Sequence, residues 1–258
     1  MTVNNTTTIH RVNHEIKRRC LQVLRVTDLT PRMRRITLGG PELQGFLSLG
    51  SDDHIKLLFA CSPQEQAALD NPGQDQDGVK PTLREYTPRR IDEVAGELDI
   101  DFVLHGDGPA STWAAQATVG QTLNIAGPRS SMVVPDMFDS YLLIGDETAI
   151  PAIARRLEEL SATRNALVVI EVENALEQQP LASLANVQVI WVQRHQQDLL
   201  EVLKQLPLPA GELYTWVALE KTLTRQAKRL LLEDKGVQED RLKAVAYWRL
   251  GEDDNHNA

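Results

Sequence analysis

Residues 141–160 read YLLIGDETAIPAIARRLEEL, and this stretch decides the fold. Residues 141–145 form a short apolar run of the kind a buried strand needs. From 148 to 160, Ile150, Ile153, Ala154, Leu157 and Leu160 recur at helical spacing, and Thr148 stands where a helix cap is expected. A strand running directly into an amphipathic helix is the opening of a βαβ unit, and such units build parallel sheets. The pattern repeats downstream. Strands are expected at 166–172, 187–192, 213–219 and 243–249, with a helix-prone piece after the first of them and helices at 198–205 and 222–235. Gly236 is placed to stop the last helix. The second half of the chain therefore reads as a Rossmann-like α/β domain.

Upstream the pattern changes. Apolar or alternating runs at 20–26, 34–38, 54–59, 98–104 and 121–126 are short and separated by glycine and proline, as in a β-barrel or sandwich. The change falls near residues 135–140. The expected organisation is a loose N-terminus at 1–19, a β-barrel at 20–136, the α/β domain at 137–250 and a disordered acidic tail at 251–258. Residues 62–82, rich in Gln, Asp, Pro and Gly, are expected to form a long loop.

Composition narrows the function. The chain carries 27 Lys and Arg against 36 Asp and Glu, a net charge of −9. An acidic surface repels phosphate backbones and anionic bilayers, so neither nucleic acid nor a membrane is an expected partner. The clusters Lys17, Arg18 and Arg19, then Arg32, Arg34 and Arg35, then Arg89 and Arg90, read first as solvated faces. The two cysteines, Cys20 and Cys61, make no CxxC pair, which argues against an iron–sulfur cluster and for a reducing compartment. The N-terminus lacks the apolar core of a signal peptide and no run is long enough to span a membrane, so a cytoplasmic monomer is expected. The histidines are scattered, and no metal ligand set is assigned.

Two segments carry chemistry. In Arg84-Glu85-Tyr86-Thr87, Arg84 and Tyr86 share one face of a strand. They are either one exposed arginine and one half-buried ring, or a forked cation for a pyrophosphate beside a ring that stacks on a flavin, with the Thr87 hydroxyl at its polar edge. In His105 to Ala114, HGDGPASTWA, glycines precede a helix start bearing Ser111. This is either an ordinary capped turn or an anion cradle made by free N–H groups.

Together with AGPRSS (126–131), GDETAIPAIARRLE (145–158) and AYWRLG (246–251), these segments resemble the siderophore-interacting protein family of the ferredoxin-reductase superfamily. The likeness runs from Val23 to Gly251. It implies an FAD-binding Greek-key barrel followed by an NAD(P)H-binding domain, and an NAD(P)H-dependent ferric-chelate reductase that releases ferrous iron from siderophores. It also implies roles. Arg84 would bind the FAD pyrophosphate, Tyr86 would stack on the isoalloxazine and Thr87 would contact its edge. Asp101, Phe102, Val103 and His105 would run beside the cofactor, and Gly108, Ala110 and Ser111 would cradle the pyrophosphate. Asp146, Glu147 and Thr148 would meet the nicotinamide nucleotide, as would Glu220, with Trp248 near the flavin. NADPH is the expected donor, with NADH the other choice, and Lys221, Arg225 and Lys228 could hold a 2′-phosphate or form a solvated face.

The expected substrate is a ferric siderophore or another ferric chelate. Such chelates are often anionic, so an acidic protein needs a local cationic rim, for which Lys56 and Arg129 are the candidates. No acid–base pair is required. The chain departs from the family at Leu219 and Ala246, where glycines are usual, which touches nucleotide binding. Two other readings remain: a general flavin or ferredoxin-type reductase, and a siderophore-binding protein without catalysis.

Overall fold

The computed structural model describes residues 8–71 and 78–251. The chain divides into two compact units that part between Val133 and Val134.

The first unit contains β1 (His10–Asn13), β2 (Arg18–Thr30), β3 (Met33–Gly39), β4 (Ile55–Phe59), helix α1 (Pro63–Asp70), β5 (Thr82–Tyr86), β6 (Arg90–Asp92), β7 (Glu97–Val103), helix α2 (Pro109–Gln116), β8 (Thr122–Ala126) and β9 (Ser130–Val133). Seven strands form an antiparallel sheet in the order β5-β4-β8-β2-β3-β7-β6, and β1 pairs separately with β9. The two edge strands, β5 and β6, are joined by only three residues. Those four steps of chain reach about 14 Å, whereas a flat sheet would hold its edges about 29 Å apart. The sheet must therefore curl into a barrel-like form. Its interior is apolar: Leu21, Val23, Ile36, Leu38, Ile55, Leu57, Leu98, Ile100, Phe102, Leu123 and Ile125 make one cluster. The period-2 alternation expected from the sequence supplies these residues.

The second unit contains β10 (Ser140–Asp146), α3 (Ile150–Glu159), β11 (Asn165–Val172), β12 (Asn186–Gln193), α4 (Leu199–Gln205), β13 (Leu213–Glu220), α5 (Lys221–Glu233) and β14 (Leu242–Trp248). All five strands are parallel, in the order β12-β11-β10-β13-β14. Strand order reverses at β10, so a crevice opens at the carboxyl ends of β10 and β13. Gly145 lets α3 approach β10: a Cβ there would stand 2.4 Å from the Ala149 Cβ. Both halves of the expected two-domain fold are thus present, and Gly236, at φ 69°, follows α5 as expected.

Four local expectations are corrected. Thr148 does not cap α3. Asp146 does the capping, its Oδ1 accepting from Thr148 N at 2.9 Å and from Thr148 Oγ1 at 2.5 Å, over a 3₁₀ turn that precedes the helix. The piece after β11 forms only a 3₁₀ turn, Ala175–Glu177. Part of the expected 62–82 loop is helix α1. Ser62 caps it by accepting from Glu65 N at 3.2 Å, Pro63 takes the first turn, and the Glu65 carboxylate bonds back to Cys61 N. The arrangement resembles a capping box, with the carboxylate reaching the residue before the cap, and it outweighs the polar composition. The stretch 1–19, expected to be loose, contains β1. Most of the acidic tail, 252–258, lies outside the described residues.

Candidate functional site

In the barrel unit the candidate residues gather around β4, β5 and α2. Across the β4–β5 ladder Tyr86 faces Ile55, Arg84 faces Leu57, and Glu85 faces Lys56. Paired residues share a face, so Arg84 and Tyr86 turn toward the barrel interior with Ile55 and Leu57, and Lys56 lies on the outer face. Tyr86 packs against Phe102, ring centroids 4.6 Å apart, and Phe102 lies 5.7 Å from Trp113 of α2. Burial pushes the Tyr86 phenol well above its ordinary range, so it stays neutral. Thr87, next along, is buried.

Arg84 lines a cavity of 920 Å³ together with Phe59, Gly108, Pro109, Thr112 and Trp113. The start of α2 faces this cavity. Gly108 is its N-cap and Pro109 follows, contributing no N–H. The N–H groups of Ala110 and Ser111 lie in the first turn, where the helix itself has no acceptor for them. Ser111 Oγ accepts from His105 N at 2.9 Å, which fixes the turn and leaves the hydroxyl hydrogen to donate elsewhere.

Gly108 tests whether a dinucleotide fits. Its φ of −63° and ψ of 148° suit any residue. A Cβ built there meets nothing within 4 Å. Neither backbone strain nor packing within the chain calls for glycine. The space beside its α-carbon is open to a ligand. With the Arg84 guanidinium and the glycine start of α2 lining one cavity, and the Tyr86 ring on the same strand face as Arg84, the residues suit the pyrophosphate and ring system of FAD.

The sequence-singled residues on β7 divide between its two faces. Phe102 is in the core. The Asp101 carboxylate is on the other face, taken in a fork by Arg35 at 2.7 and 2.8 Å. Only the backbone of this strand, through Val103, is left to meet a ligand. His105 is exposed.

Lys56 and Arg129 are brought near each other by the backbone. Lys56 pairs with Ala126 across the β4–β8 ladder, and Arg129 stands three residues beyond Ala126, exposed, past the cis Gly127–Pro128 bond.

The parallel-sheet unit carries its own group of candidate residues. Asp146 ends β10 and is 2% exposed. Its Oδ2 accepts from Trp248 Nε1 at 2.7 Å. Burial raises its pKa to about 6 against the pull of its hydrogen bonds from Thr148 and Trp248. Glu220 ends β13 and caps α5, accepting from Thr222 N at 2.6 Å and Leu223 N at 3.1 Å. A register shift between Leu219 and Glu220 sets Trp248 opposite Glu220, so Asp146, Thr148, Glu220 and Trp248 all lie along the carboxyl edge beside the crevice. Leu219 is 0% exposed and belongs to the core under α5, so its side chain stays off that edge. Ala246 is exposed. Of Lys221, Arg225 and Lys228 on α5, Lys228 pairs with Glu239 at 3.2 Å.

One cluster escaped the sequence reading. Arg194, just past β12, binds Glu147 at 2.6 Å, Glu171 at 3.0 Å and Glu173 at 3.0 Å. Burial works against its charge, but the Glu147 field and the carboxylate hydrogen bonds hold it protonated. It borders a 390 Å³ cavity shared with Asp198, Leu223 and Gln226. The signal was available: parallel strands in register bring their carboxyl ends together, and each of these residues stands at or just past such an end.

Comparison with known proteins agrees with this geometry. The family described as siderophore-interacting FAD-binding domain matches residues 22–132, and the one described as siderophore-interacting protein matches 138–251. The NADPH-dependent ferric-chelate reductase of Escherichia coli is 38% identical over 92% of this chain and 95% of its own. Ferric vibriobactin reductase ViuB of Vibrio cholerae is 30% identical over 94% of each. A siderophore utilization protein from T. fusca superposes with a TM-score of 0.83 at 33% identity, over 95% of this chain and 97% of that one. With both family descriptions matched along the chain and a relative 38% identical over 92% of it, the chain belongs to the siderophore-interacting protein family.

Proposed function

We propose that this chain is an FAD-dependent ferric-siderophore reductase that takes electrons from NAD(P)H and releases ferrous iron. The observation that carries the reading is the cavity that Arg84 shares with Gly108, the bare glycine at the start of α2. FAD, when bound, supplies the step between a two-electron hydride donor and an acceptor that takes single electrons. Arg84 neutralises the pyrophosphate, while Ala110 and Ser111 donate to it through their backbone N–H groups. Tyr86, neutral and backed by Phe102, offers a rigid ring face to the isoalloxazine, and Thr87 offers a hydroxyl. The backbone of Asp101, Phe102 and Val103, with His105, runs alongside. Asp146, Thr148, Glu220 and Trp248 border the crevice where the nicotinamide nucleotide enters.

The substrate is a ferric siderophore or a related ferric chelate. Ferrous iron carries less charge and is softer than ferric, so hard oxygen donors hold it less tightly. Lys56 and Arg129 give an acidic protein a local cationic face for an anionic chelate. The exposed free cysteines Cys20 and Cys61 support a reducing, cytoplasmic setting. Among the described residues no helix is long and apolar enough to cross a membrane.

The test is spectroscopic. Protein purified with excess FAD should show a flavin absorption band that NADPH bleaches under anaerobic conditions, and a ferric chelate should restore it. A band that NADPH leaves untouched would mean a binding protein. A band restored by ferredoxin but by no ferric chelate would mean a general reductase.

A further inference from the structure

Away from the flavin cavity, a buried polar node sits under the two candidate substrate cations. Asp53 is 3% exposed and Ser131 is 0% exposed. Asp53 Oδ2 accepts three hydrogen bonds: from Ser131 Oγ at 2.5 Å, Ser48 Oγ at 2.9 Å and Gly50 N at 3.1 Å. Ser131 Oγ in turn meets Leu49 N at 3.1 Å and His14 Nε2 at 2.7 Å. A hydroxyl has one hydrogen, and here it goes to Asp53. His14 must therefore donate, through an Nε2–H. Serine, not histidine, is the middle member, so this is no nucleophile triad. It is a fastening.

What it fastens follows from the chain. Residues 53–56 and 126–131 are tied to each other twice. At one end Lys56 pairs with Ala126 in the β4–β8 ladder. At the other end Asp53 bonds Ser131. Arg129 lies between these ties on one segment and His54 on the other, with Lys56 at the ladder tie itself. A third tie holds the Arg129 turn from behind: His14 N donates to Arg129 O at 2.9 Å, continuing the β1–β9 pairing. The backbone spacing of the two cations is thus set by buried hydrogen bonds rather than by the cations themselves, which like charges would otherwise drive apart.

We infer that Asp53 and Ser131 are positioning residues for substrate, clamping Lys56 and Arg129 at a fixed separation that selects a multiply anionic ferric chelate. The inference rests on the ferric-chelate reading above and names the part of the chain that sets its selectivity. Cations on a fixed backbone give more discrimination than cations on a mobile one because less loop ordering is left to be done on binding.

The test compares Asp53→Ala, Ser131→Ala and Asp53→Asn in the FAD-loaded protein. The acceptors are a trianionic ferric tris-catecholate and a neutral ferric trihydroxamate. In Asp53→Asn the amide oxygen can take the place of Oδ2 and accept the same three donors. Expected for Asp53→Ala and Ser131→Ala is a KM for the catecholate higher by on the order of five- to tenfold, with kcat, the KM for the hydroxamate and NADPH bleaching unchanged. Asp53→Asn should restore most of the loss. Equal loss on both chelates, or no loss in a folded Ser131→Ala protein, overturns the clamp. Should Asp53→Ala fail to fold, Ser131→Ala and Asp53→Asn still decide. The underlying reading fails separately, if no ferric chelate reoxidises the wild-type protein or if reversing the Lys56 and Arg129 charges leaves the catecholate KM unmoved.

Discussion

Trp248 on the last strand donates its indole N–H to Asp146 on the first strand of the parallel sheet, 2.7 Å across the carboxyl end of β13. The bond ties three strands at the edge where a nicotinamide nucleotide is proposed to enter. It also places a buried carboxylate, with a raised pKa, under an aromatic side chain.

That carboxylate makes the fold sensitive to pH in a definite direction. Asp146 moves from 3.8 to about 6 on folding. A raised folded pKa means the native state binds more protons than the unfolded state between those values. Its contribution is full below about pH 4 and is lost as pH rises through 6, by up to about 3 kcal/mol at 1.36 kcal/mol per unit. Other carboxylates have the opposite sign: Glu97, bonded by Arg25 and Arg90, falls to about 2. The difference between proteins is therefore the readout. Asp146→Asn should gain stability relative to wild type as pH rises from 4 to 7 in urea titrations. Parallel curves would count against a buried, protonatable Asp146.

Gly108 separates ligand binding from folding. Gly108→Ala adds a methyl into the cavity without backbone strain, so stability should hold or rise by up to about 1 kcal/mol. FAD affinity should fall, by tenfold or more if about 1.4 kcal/mol of contact is lost. Arg84→Met should weaken FAD binding by about 1.5–3 kcal/mol, as expected for a hydrogen bond to a charged group. Fluorescence titration of apoprotein with FAD measures both. Unchanged FAD affinity in both variants would place the pyrophosphate elsewhere.

The sequence and the structure agree where a single period governs. Leu98, Ile100 and Phe102 alternate and do face one core, and Ile150, Ile153 and Leu157 do bury one side of α3. Arg84 and Tyr86 were placed on one face of a strand by the same rule, and the β4–β5 register puts them there. The rule also separates Asp101 from Phe102, a consequence the motif hid. What could not be read is what depends on register between distant segments. Asp53 and Ser131 are 78 residues apart, and nothing in either neighbourhood points to the other. The Arg194 cluster needs three strand ends aligned before its members meet. Helix α1 was legible in Ser62-Pro63-Gln64-Glu65, but the Gln, Asp and Gly content around it concealed the cap.

Charge reversal tests the substrate face without touching the flavin. Lys56 lies on the outer face of β4, opposite the side that carries Arg84 and Tyr86. Lys56→Glu combined with Arg129→Glu should raise the KM for a trianionic ferric catecholate by on the order of tenfold and reverse its salt dependence, so that added salt lowers the KM instead of raising it. Anaerobic flavin reduction by NADPH should proceed at the wild-type rate. If flavin reduction slows in step with chelate turnover, the two residues serve the donor side instead.

On the sequence reading glycine is expected at Leu219, and the burial of this side chain decides what the leucine does. The side chain is wholly buried among Val217, Leu230 and Leu231, and Thr224 Oγ1 donates to its carbonyl at 3.0 Å. It fills core space beneath α5 rather than the crevice at the strand end. Leu219→Gly should therefore leave a cavity and loosen the strand, costing about 3–6 kcal/mol in urea denaturation. The KM for NADPH should not improve, because the removed atoms do not face the nucleotide. A variant of undiminished stability with a lower KM for NADPH would show that the leucine obstructs the crevice after all.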